Sequence, residues 1–389
     1  MSAPRVILAI ESSCDESAVA LVRADGLVLA ERIATQAALH ATTGGVVPEA
    51  AARAHHTQLP TLLSGLLDEA TGLGLQSQID AVAVTAGPGL LASLLVGASV
   101  ASGWAWGRGL PIVPINHLEG HLRAAWLHAG AVTERHVPVQ GARGAPPAAP
   151  TLPAIGLVVS GGHTLLVRID RDGAIERLGG TVDDAAGEAF DKIARLIGLP
   201  YPGGAALSAL AATAGKAPVG QGIRLPIART DKPFDFSFSG VKTAAARVAL
   251  AAIGADATAP GRAGALAQLL EERPIPSSAA VAIAAAAERA IVGALVERVE
   301  RALDATPDAA LIVGGGVAAN AVLRRDLAAA AERRGRAIAI PPIFWCTDNA
   351  AMIGAAAHAA LADGRAALRD PGNGVSVSAS WRIGTEAPQ

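Results

Sequence analysis

The stretch VILAIESSCDESAVALVRADG, residues 6–26, decides the fold class. VILAIE is an apolar run typical of a buried strand, SSCDES is a polar turn, and AVALVRADG is a returning strand that ends in a D-G turn. The same order returns in AIGLVVS, GGHT and LLVRIDRDG, residues 154–173. Two strand–turn–strand units, about 150 residues apart, indicate an internal duplication.

Strands that alternate with helices connect and follow these two units. AVAVTAGPGLLASLLVGASVASGWAWG, 81–107, is typical of a strand, a Gly/Pro turn and a helix, and AALIVGGGVAANAVLRRDLAAAAERRG, 309–335, repeats that order with a glycine turn. The pattern predicts an α/β fold with mainly covered sheets. A chain of 389 residues is long for a single core, so we expect two lobes.

Net charge, cysteine content and the longest apolar run indicate which partners and which cell compartment the protein suits. The net charge of -2 provides no global attraction for nucleic acid, so a polyanionic partner would need a local basic patch. Two cysteines, Cys14 and Cys346, provide no disulfide framework and suit a reducing compartment. The apolar run 280–296 contains Glu288 and Arg289 in its middle, which favours a buried helix over a membrane span. We therefore predict a cytoplasmic protein without a membrane partner.

HLEGH, residues 117–121, places two histidines four residues apart, on one face of a helix. This spacing can share one metal ion. Glu119 lies two residues from each histidine, and two steps of about 100° turn its side chain about 200° away from them. Glu119 therefore cannot act as a general base beside such a metal, unlike the glutamate of the metalloprotease pattern H-E-x-x-H. A helix with two surface histidines is the simpler alternative.

Glycine turns point to a bound nucleotide. LIVGGGVAAN follows a strand and precedes a helix, and SGGH, 160–163, lies between two strands. Such turns expose backbone N–H groups that favour phosphate. A triple glycine alone is more often a tight turn, but with the duplication it predicts a nucleotide between two lobes. The chain lacks G-x-x-x-x-G-K-[ST], so it is no P-loop ATPase. It also lacks G-x-G-x-x-G after the first strand, which disfavours a Rossmann dinucleotide site, and G-x-S-x-G, which removes the strongest hydrolase signal.

Carboxylates in four contexts are candidates for chemistry: Asp15 in the first turn, the pair Asp183 and Asp184, Asp191, and Asp348 in CTDNAAMIG. Helix capping explains some of them equally well, above all Asp183, Asp184 and Asp348. A carboxylate is also what the two histidines lack to complete a three-ligand metal site.

Eight motifs together resemble the TsaD family, the catalytic subunit of the tRNA N6-threonylcarbamoyladenosine synthase. In chain order they are ILAIESSCDES, HATTGGVVPEAAARAHH, HLEGH, VVSGGHT, DDAAGEAFDKIARLIGLPYPGG, FDFSFSGVKT, VGGGVAANAVLR and CTDNAAMIG, and the resemblance spans roughly residues 5–381. The stretches at about 132–152 and 251–276 are longer than the family core, but they interrupt no motif.

The resemblance implies the duplicated, two-lobed fold of actin, sugar kinases and heat-shock-protein ATPases. We expect the first lobe at 1–131, completed by about 347–389, and the second at 153–346, joined by the Pro/Ala-rich connection at 132–152. The resemblance further implies that a threonylcarbamoyl group is transferred from threonylcarbamoyl-adenylate to the N6 amine of the adenosine 3′ of the anticodon, in tRNAs that read codons beginning with A. Family members also need a TsaB-like paralogue and a TsaE-like P-loop ATPase.

Site residues are carried over from the resemblance position by position. One divalent metal ion, Fe²⁺ in preference to Zn²⁺, would be held by His117, His121 and Asp348. Asp15 or Glu16 would orient the tRNA adenine or take its proton, and Lys242 would contact RNA phosphate or the acyl group, or be a solvated lysine at a helix start. The residues around the adenylate would be Val158, Val159, Ser160, Gly161, Gly162, Asp191, Gly204 and Asn320.

Two other function classes fit the same fold. One is an ATP-dependent kinase or ATPase, which has no need of two histidines on a helix. The other is a non-catalytic scaffold paralogue, which would be expected to lose the metal and nucleotide residues, whereas all of them are present here. The sequence therefore favours the transferase.

Overall fold

The computed structural model describes residues 3–41, 43–129, 150–215, 223–255 and 272–389. Most of the connection predicted at 132–152, and most of the stretch 251–276, lie outside these ranges. The described residues form two mixed sheets with helices on their faces.

The first sheet is built on the hairpin that opens the sequence. Its central strand, β1, pairs antiparallel with β2 on one side and parallel with β4 on the other, and the strand order is β5-β4-β1-β2-β3-β6. The strands are β1 Val6–Glu11, β2 Glu16–Arg23, β3 Leu27–Thr35, β4 Ile79–Gly87, β5 Ile112–Asn116 and β6 His128–Ala129.

The second sheet repeats this plan. Its central strand, β7, pairs antiparallel with β8 and parallel with β10, and the strand order is β11-β10-β7-β8-β9. The strands are β7 Ala154–Val159, β8 Thr164–Ile169, β9 Ile175–Gly180, β10 Ala310–Gly314 and β11 Ile338–Ala339. Five strands of each sheet therefore follow one order with the same pattern of directions, and the predicted duplication is confirmed.

Ten helices of the described residues cover the sheets. They are α1 Ala37–Ala41, α2 Pro48–Gly72, α3 Leu91–Arg108, α4 His117–Arg123, α5 Ala186–Leu196, α6 Gly203–Ala212, α7 Ser239–Ala252, α8 Ser277–Ala305, α9 Ala321–Glu332 and α10 Ala350–Ala362. Apolar side chains of α2 and α3 form one core with the first sheet, and those of α10 form another with its opposite face. Helix α10, near the end of the chain, thus packs on the sheet formed by the beginning of the chain.

Helix α4 lies between the two sheets. Leu118 and Leu122 pack into a core with β7, β8 and β10 of the second sheet. On its other side Gly120 lies against α10, where an added Cβ would come 2.8 Å from Cδ1 of Ile353. The helix ends at Arg123, and the chain then runs through a short turn into β6, which pairs with β3. Side chains of α4 therefore face both lobes.

The long apolar run in the second half forms α8. Among the described helices it is the candidate membrane span, by length and composition, and 67% of its most apolar window is buried inside the protein. Its apolar residues pack in the core of the second lobe. It is a core helix, as the charged residues in its middle predict.

Candidate active site

His117 and His121 are the buried histidines of α4. The helix begins at His117 because the side chain of Asn116 accepts a hydrogen bond from the backbone N–H of Leu118 at 3.0 Å, which caps the first turn. Both histidines lie on one face, with ring centroids 4.7 Å apart, and they are 5% and 0% exposed. The alternative of two surface histidines is therefore wrong.

Asp348 faces this pair from the segment before α10. Its Oδ1 lies 3.1 Å from Nε2 of His121 and 3.6 Å from Nε2 of His117. One ligand atom from each of the three residues lies within 4.8 Å of the others, which is close enough to share an ion. Burial raises the pKa of Asp348, but the two imidazoles hold it well below its usual range. The tertiary structure thus supplies the carboxylate that the histidine pair lacks.

The ring of His121 shows that this group suits a metal ion. Both of its nitrogens are buried, and neither completes a hydrogen bond with a described residue, although Nε2 is in ionic contact with Asp348. Buried polar atoms without partners are rare and need an explanation. Two imidazoles and one carboxylate are ligands that divalent transition metals prefer. The residues present therefore fit a divalent ion.

Glu11 orients His117, and the sequence did not reveal it. Its Oε2 lies 3.0 Å from Nδ1 of His117 and accepts a hydrogen bond from the hydroxyl of Thr85 at 2.6 Å. Burial raises the pKa of Glu11, but the charge of His117 and the hydrogen bond to it keep the pKa below its usual value. A carboxylate on Nδ1 leaves Nε2 free to bind a metal. A carboxylate that ends the apolar run VILAIE is the signal that could have pointed to it.

Glu119 takes no part in this group. It is 7% exposed, and its Oε1 accepts a hydrogen bond from Arg365 at 2.7 Å. Arg365 also donates to Asp363 at 3.1 Å, just beyond the end of α10. The prediction that Glu119 cannot serve as a base beside the histidines is confirmed, because its carboxylate is held by this ion pair.

Asp15 and Glu16 reach the same place from the first turn. With Asp348 they form a second group of carboxylates whose oxygens lie within 4.8 Å of one another. Burial, together with the negative charges of Asp348 and Asp15, raises the pKa of Glu16 to about 9. The turn after β1 therefore brings two further carboxyl groups, which can act as acids or bases, beside the cluster of His117, His121 and Asp348.

The turn after β7 presents an open backbone. Val158 and Val159 are buried in the strand, and the hydroxyl of Ser160 accepts a hydrogen bond from the backbone N–H of His163 at 3.1 Å. Gly161 and Gly162 are exposed, and a Cβ on either would meet no atom within 4 Å. This turn can therefore receive a ligand against its backbone.

Asp191 and Gly204 lie together. Oδ1 of Asp191 accepts hydrogen bonds from the backbone N–H groups of Gly203, at 2.8 Å, and of Gly204, at 3.1 Å, at the beginning of α6. Burial raises the pKa of Asp191 above its usual value. One carboxylate oxygen thus caps a helix.

Asn320 already has partners within the protein. Its Oδ1 caps α9 by accepting from the backbone N–H of Leu323 at 2.8 Å. Its Nδ2 donates to Ser208 and to Glu288, both at 2.8 Å. The amide therefore connects three helices of the second lobe.

Lys242 lies in an ion pair. Its Nζ is 3.1 Å from Asp184, which also binds Lys192 at 2.8 Å. Asp183 caps α7 from a distance in sequence, accepting from the backbone N–H of Phe238 at 2.8 Å and of Ser239 at 3.3 Å. Asp183 thus caps α7, whereas the sequence predicted that it would cap α5, the helix that follows it in the chain, which begins without a side-chain cap of its own.

The three glycines of LIVGGGVAAN serve mainly close packing. A Cβ on Gly314 would collide with the backbone carbonyl of His121, and one on Gly315, where φ is +97°, would collide with the backbone carbonyl of Val159. A Cβ on Gly316 would meet only Thr347, at 4.0 Å. Gly314, at the end of β10, therefore lets this strand approach α4, and Gly315 lets the turn after β10 approach β7. Only Gly316 leaves room for a ligand.

His163 is a further group near the centre that the sequence did not single out. Burial and the positive charges of His117 and His121 lower the pKa of His163 to about 4. The imidazole is therefore neutral at physiological pH. It faces the two histidines from the turn between β7 and β8 of the second lobe.

Two sheets of one topology, with a cluster of two histidines and one aspartate between them, define a two-lobed protein of the actin, sugar-kinase and heat-shock-ATPase fold class. The solved structure of full-length HypF in the phosphate- and nucleotide-bound form is similar in fold, with a TM-score of 0.52 and 13% sequence identity over 93% of this chain and 47% of that chain.

Comparison of sequences identifies the family. The family model described as TsaD, tRNA N6-adenosine threonylcarbamoyltransferase, matches residues 27–355. A protein of that name from Bordetella petrii is 44% identical over 97% of both chains. Others from Sorangium cellulosum and Geobacter sp. strain M21 are 42% and 43% identical, over 92% of both chains for the first and over 90% of this chain and 89% of the relative for the second.

This chain belongs to the TsaD family of tRNA N6-adenosine threonylcarbamoyltransferases. It is an acyltransferase that acts on tRNA, and the resemblance found in the motifs is confirmed. Family membership also decides for the transferase over the kinase or ATPase and over the non-catalytic scaffold.

Proposed function

We propose that the interlobe site transfers the threonylcarbamoyl group of threonylcarbamoyl-adenylate to the N6 amine of the adenosine 3′ of the anticodon, in tRNAs that read codons beginning with A. Membership of the family supports this choice of donor and acceptor. The location of the site supports it as well, because acid–base groups of the first lobe and an open glycine turn of the second lobe border the same cluster.

The proposal includes one divalent metal ion held by His117, His121 and Asp348, with Fe²⁺ preferred to Zn²⁺. The observation that carries it is the convergence of the three side chains, whose ligand atoms lie within 4.8 Å of one another around the fully buried ring of His121. When bound, such an ion polarises a carbonyl oxygen and fixes the orientation of the acyl group. Glu11 holds His117 in the tautomer that keeps Nε2 available.

The adenylate is proposed to lie along the second lobe. Ser160, Gly161 and Gly162 continue the buried residues Val158 and Val159. The backbone N–H groups of Gly161 and Gly162 suit the phosphate, whereas that of Ser160 donates to the carbonyl of His163 at 2.8 Å. The oxygen of Asp191 that does not cap α6 is able to accept from ribose hydroxyls next to Gly204. Asn320 would reach the nucleotide by exchanging its bond to Ser208 or Glu288 for one to the ligand.

Proton transfer from the attacking amine is assigned to the first turn. Asp15 and Glu16 lie beside Asp348, near enough to the cluster to reach the amine. Because the pKa of Glu16 is raised to about 9, Glu16 is protonated at physiological pH and suits orienting the adenine, which leaves Asp15 to accept the proton. Lys242 is proposed to contact RNA phosphate or the acyl group. Its ion pair with Asp184 opposes that role, because Lys242 would have to break this pair to reach a ligand. Asp184 would then keep its second ion pair, with Lys192.

The remaining assignments follow the family. We propose a TsaB-like paralogue and a TsaE-like P-loop ATPase as partners, and a cytoplasmic location. The proposed lobes are 1–131, completed by about 347–389, and 153–346.

Metal analysis tests the centre. His121→Ala and Asp348→Asn each remove one of three ligands, so we expect metal binding at least about 100-fold weaker, since loss of even an outer partner costs 10- to 100-fold. Transfer of the threonylcarbamoyl group to tRNA should be lost with it. His56→Ala, an exposed histidine of α2, is the matched control and should keep both. Wild-type metal content in folded His121→Ala would refute the centre.

A further inference from the structure

Glu31 is a buried carboxylate outside the site just described. It lies on β3 and is 7% exposed. Its Oε2 accepts a hydrogen bond from the indole N–H of Trp345 at 3.0 Å, and its Oε1 accepts one from the backbone N–H of Ala351 at 3.1 Å. Within the described part of the chain no cation forms an ion pair with it. Burying an ionisable group costs free energy, which hydrogen bonds offset only in part when no opposite charge is paired with it.

In the sequence, the two donor residues flank Asp348, the proposed metal ligand. Trp345 precedes it by three residues and is 1% exposed, and Ala351 follows it by three residues in the first turn of α10. Between them Asn349 caps α10 by accepting from the backbone N–H of Met352 at 2.8 Å. A single carboxylate of the first sheet therefore holds both ends of the segment that carries Asp348.

We propose that Glu31 is a positioning residue for the metal centre, because it fixes the segment 345–351 at both ends and thereby sets the position of Asp348 relative to His117 and His121. This inference rests on the metal centre proposed above. Metal–ligand distances tolerate only about 0.2 Å of variation. Without Glu31 two buried N–H groups lose their acceptor, and the segment would move to find other partners.

The chemistry of the contact calls for glutamate in particular. A carboxylate has two oxygens, and here each one accepts from a different donor. The amide of glutamine has one oxygen, so its NH₂ group would face either the indole N–H or the backbone N–H, donor against donor. The position at the beginning of α10 also favours a negative charge. Glu31→Gln therefore keeps the volume of the side chain and breaks one of the two bonds.

The test uses metal-free protein titrated with Co²⁺ at about pH 8. Burial raises the pKa of Glu31 to about 7, opposed by the hydrogen bonds from Trp345 and Ala351, so the carboxylate is ionised under these conditions. We expect Glu31→Gln to raise the Kd for Co²⁺ about 10- to 100-fold and to shift the visible absorption bands of bound Co²⁺, which report ligand geometry. Trp345→Phe removes the other half of one bond and should act in the same direction. The double variant should show less than the sum of the two effects, because both break the same contact.

A control separates positioning from general stability. Leu63→Ala opens a cavity in the core beneath α2 and should lower the Tm without changing the Kd or the spectrum. Wild-type Kd and spectrum in folded Glu31→Gln would overturn the inference, as would an equal change of Kd in Leu63→Ala. If the wild-type protein itself binds no Co²⁺, or binds it equally in His121→Ala, the metal centre fails instead.

Discussion

Three buried glutamates near the cluster differ only in the groups they face. Glu11 accepts from Thr85 and contacts His117, Glu119 is paired with Arg365, and Glu31 accepts from an indole and a backbone amide. Residue type alone would make each of them a candidate ligand or base. Their partners restrict Glu11 to orienting a ligand and exclude Glu119 from the chemistry.

The charge of Glu31 should be visible in the pH dependence of stability. Its pKa rises from 4.5 to about 7 on folding, so the folded protein binds this proton more tightly than the unfolded chain between these values. The contribution to the free energy of unfolding is therefore fully present below about pH 4.5 and is lost as the pH rises through 7, by roughly 3 kcal/mol.

Urea unfolding of metal-free protein from about pH 5 to about pH 8 measures this effect. Glu31→Gln cannot titrate, so the difference in stability between wild type and variant should shrink as the pH rises. Parallel pH profiles for the two proteins would contradict the buried carboxylate.

At the level of elements, α4 is a seven-residue helix with every residue buried. It packs closely on the second sheet because glycines of two neighbouring strands, β7 and β10, face it. A Cβ on Gly156 would come 2.7 Å from Leu122, and Gly314 lies against the backbone carbonyl of His121. The position of the histidine pair therefore depends on strands of the second sheet that are far away in sequence.

Gly314→Ala tests this dependence. The added methyl group would meet backbone, which cannot rotate away, so α4 has to shift at His121. We expect a loss of about 1–3 kcal/mol in stability from overpacking, with a weaker affinity for the metal. Gly103→Ala, on the exposed face of α3 where a Cβ meets nothing within 4 Å, should instead stabilise the protein by about 0.5–1 kcal/mol. Unchanged metal affinity in Gly314→Ala would show that α4 does not need this close approach.

At the scale of the whole molecule, charge limits how tRNA is held. The net charge is -2, and many arginines are engaged in ion pairs, such as Arg334 with Glu300 and Asp304. The overall field therefore does not attract RNA, and binding has to come from local basic groups together with partner subunits.

A filter-binding titration with salt should show this. We expect weak tRNA binding by the isolated chain, tighter binding by the complex with its proposed partners, and a log–log slope of about -0.7 to -0.9 for each phosphate contact. Lys242→Ala should lower the rate of transfer more than it lowers affinity for the adenylate. Tight binding by the isolated chain that does not respond to salt would contradict the electrostatic argument.

The sequence by itself determined the architecture, because the patterns that specify strands, turns and helices are local. The apolar run 6–11 is β1, residue for residue. The hairpin pattern at 154–173 predicts a second sheet, which has the topology of the first. The i, i+4 spacing of His117 and His121 is local too, so both their common face and the exclusion of Glu119 followed from helix geometry.

Only the tertiary structure decided which distant groups meet. Asp348 lies 227 positions after His121, and no local sequence pattern shows that two such distant residues meet. Before the structure, only the family resemblance assigned Asp348 to the same site as the histidines. Trp345 meets Glu31 across 314 positions. Of the three glycines expected to form a nucleotide loop, Gly314 packs against α4 and Gly315 against β7. Such contacts join segments that are far apart in the chain, and the hydrophobic periodicity of one segment carries no information about its partner in another.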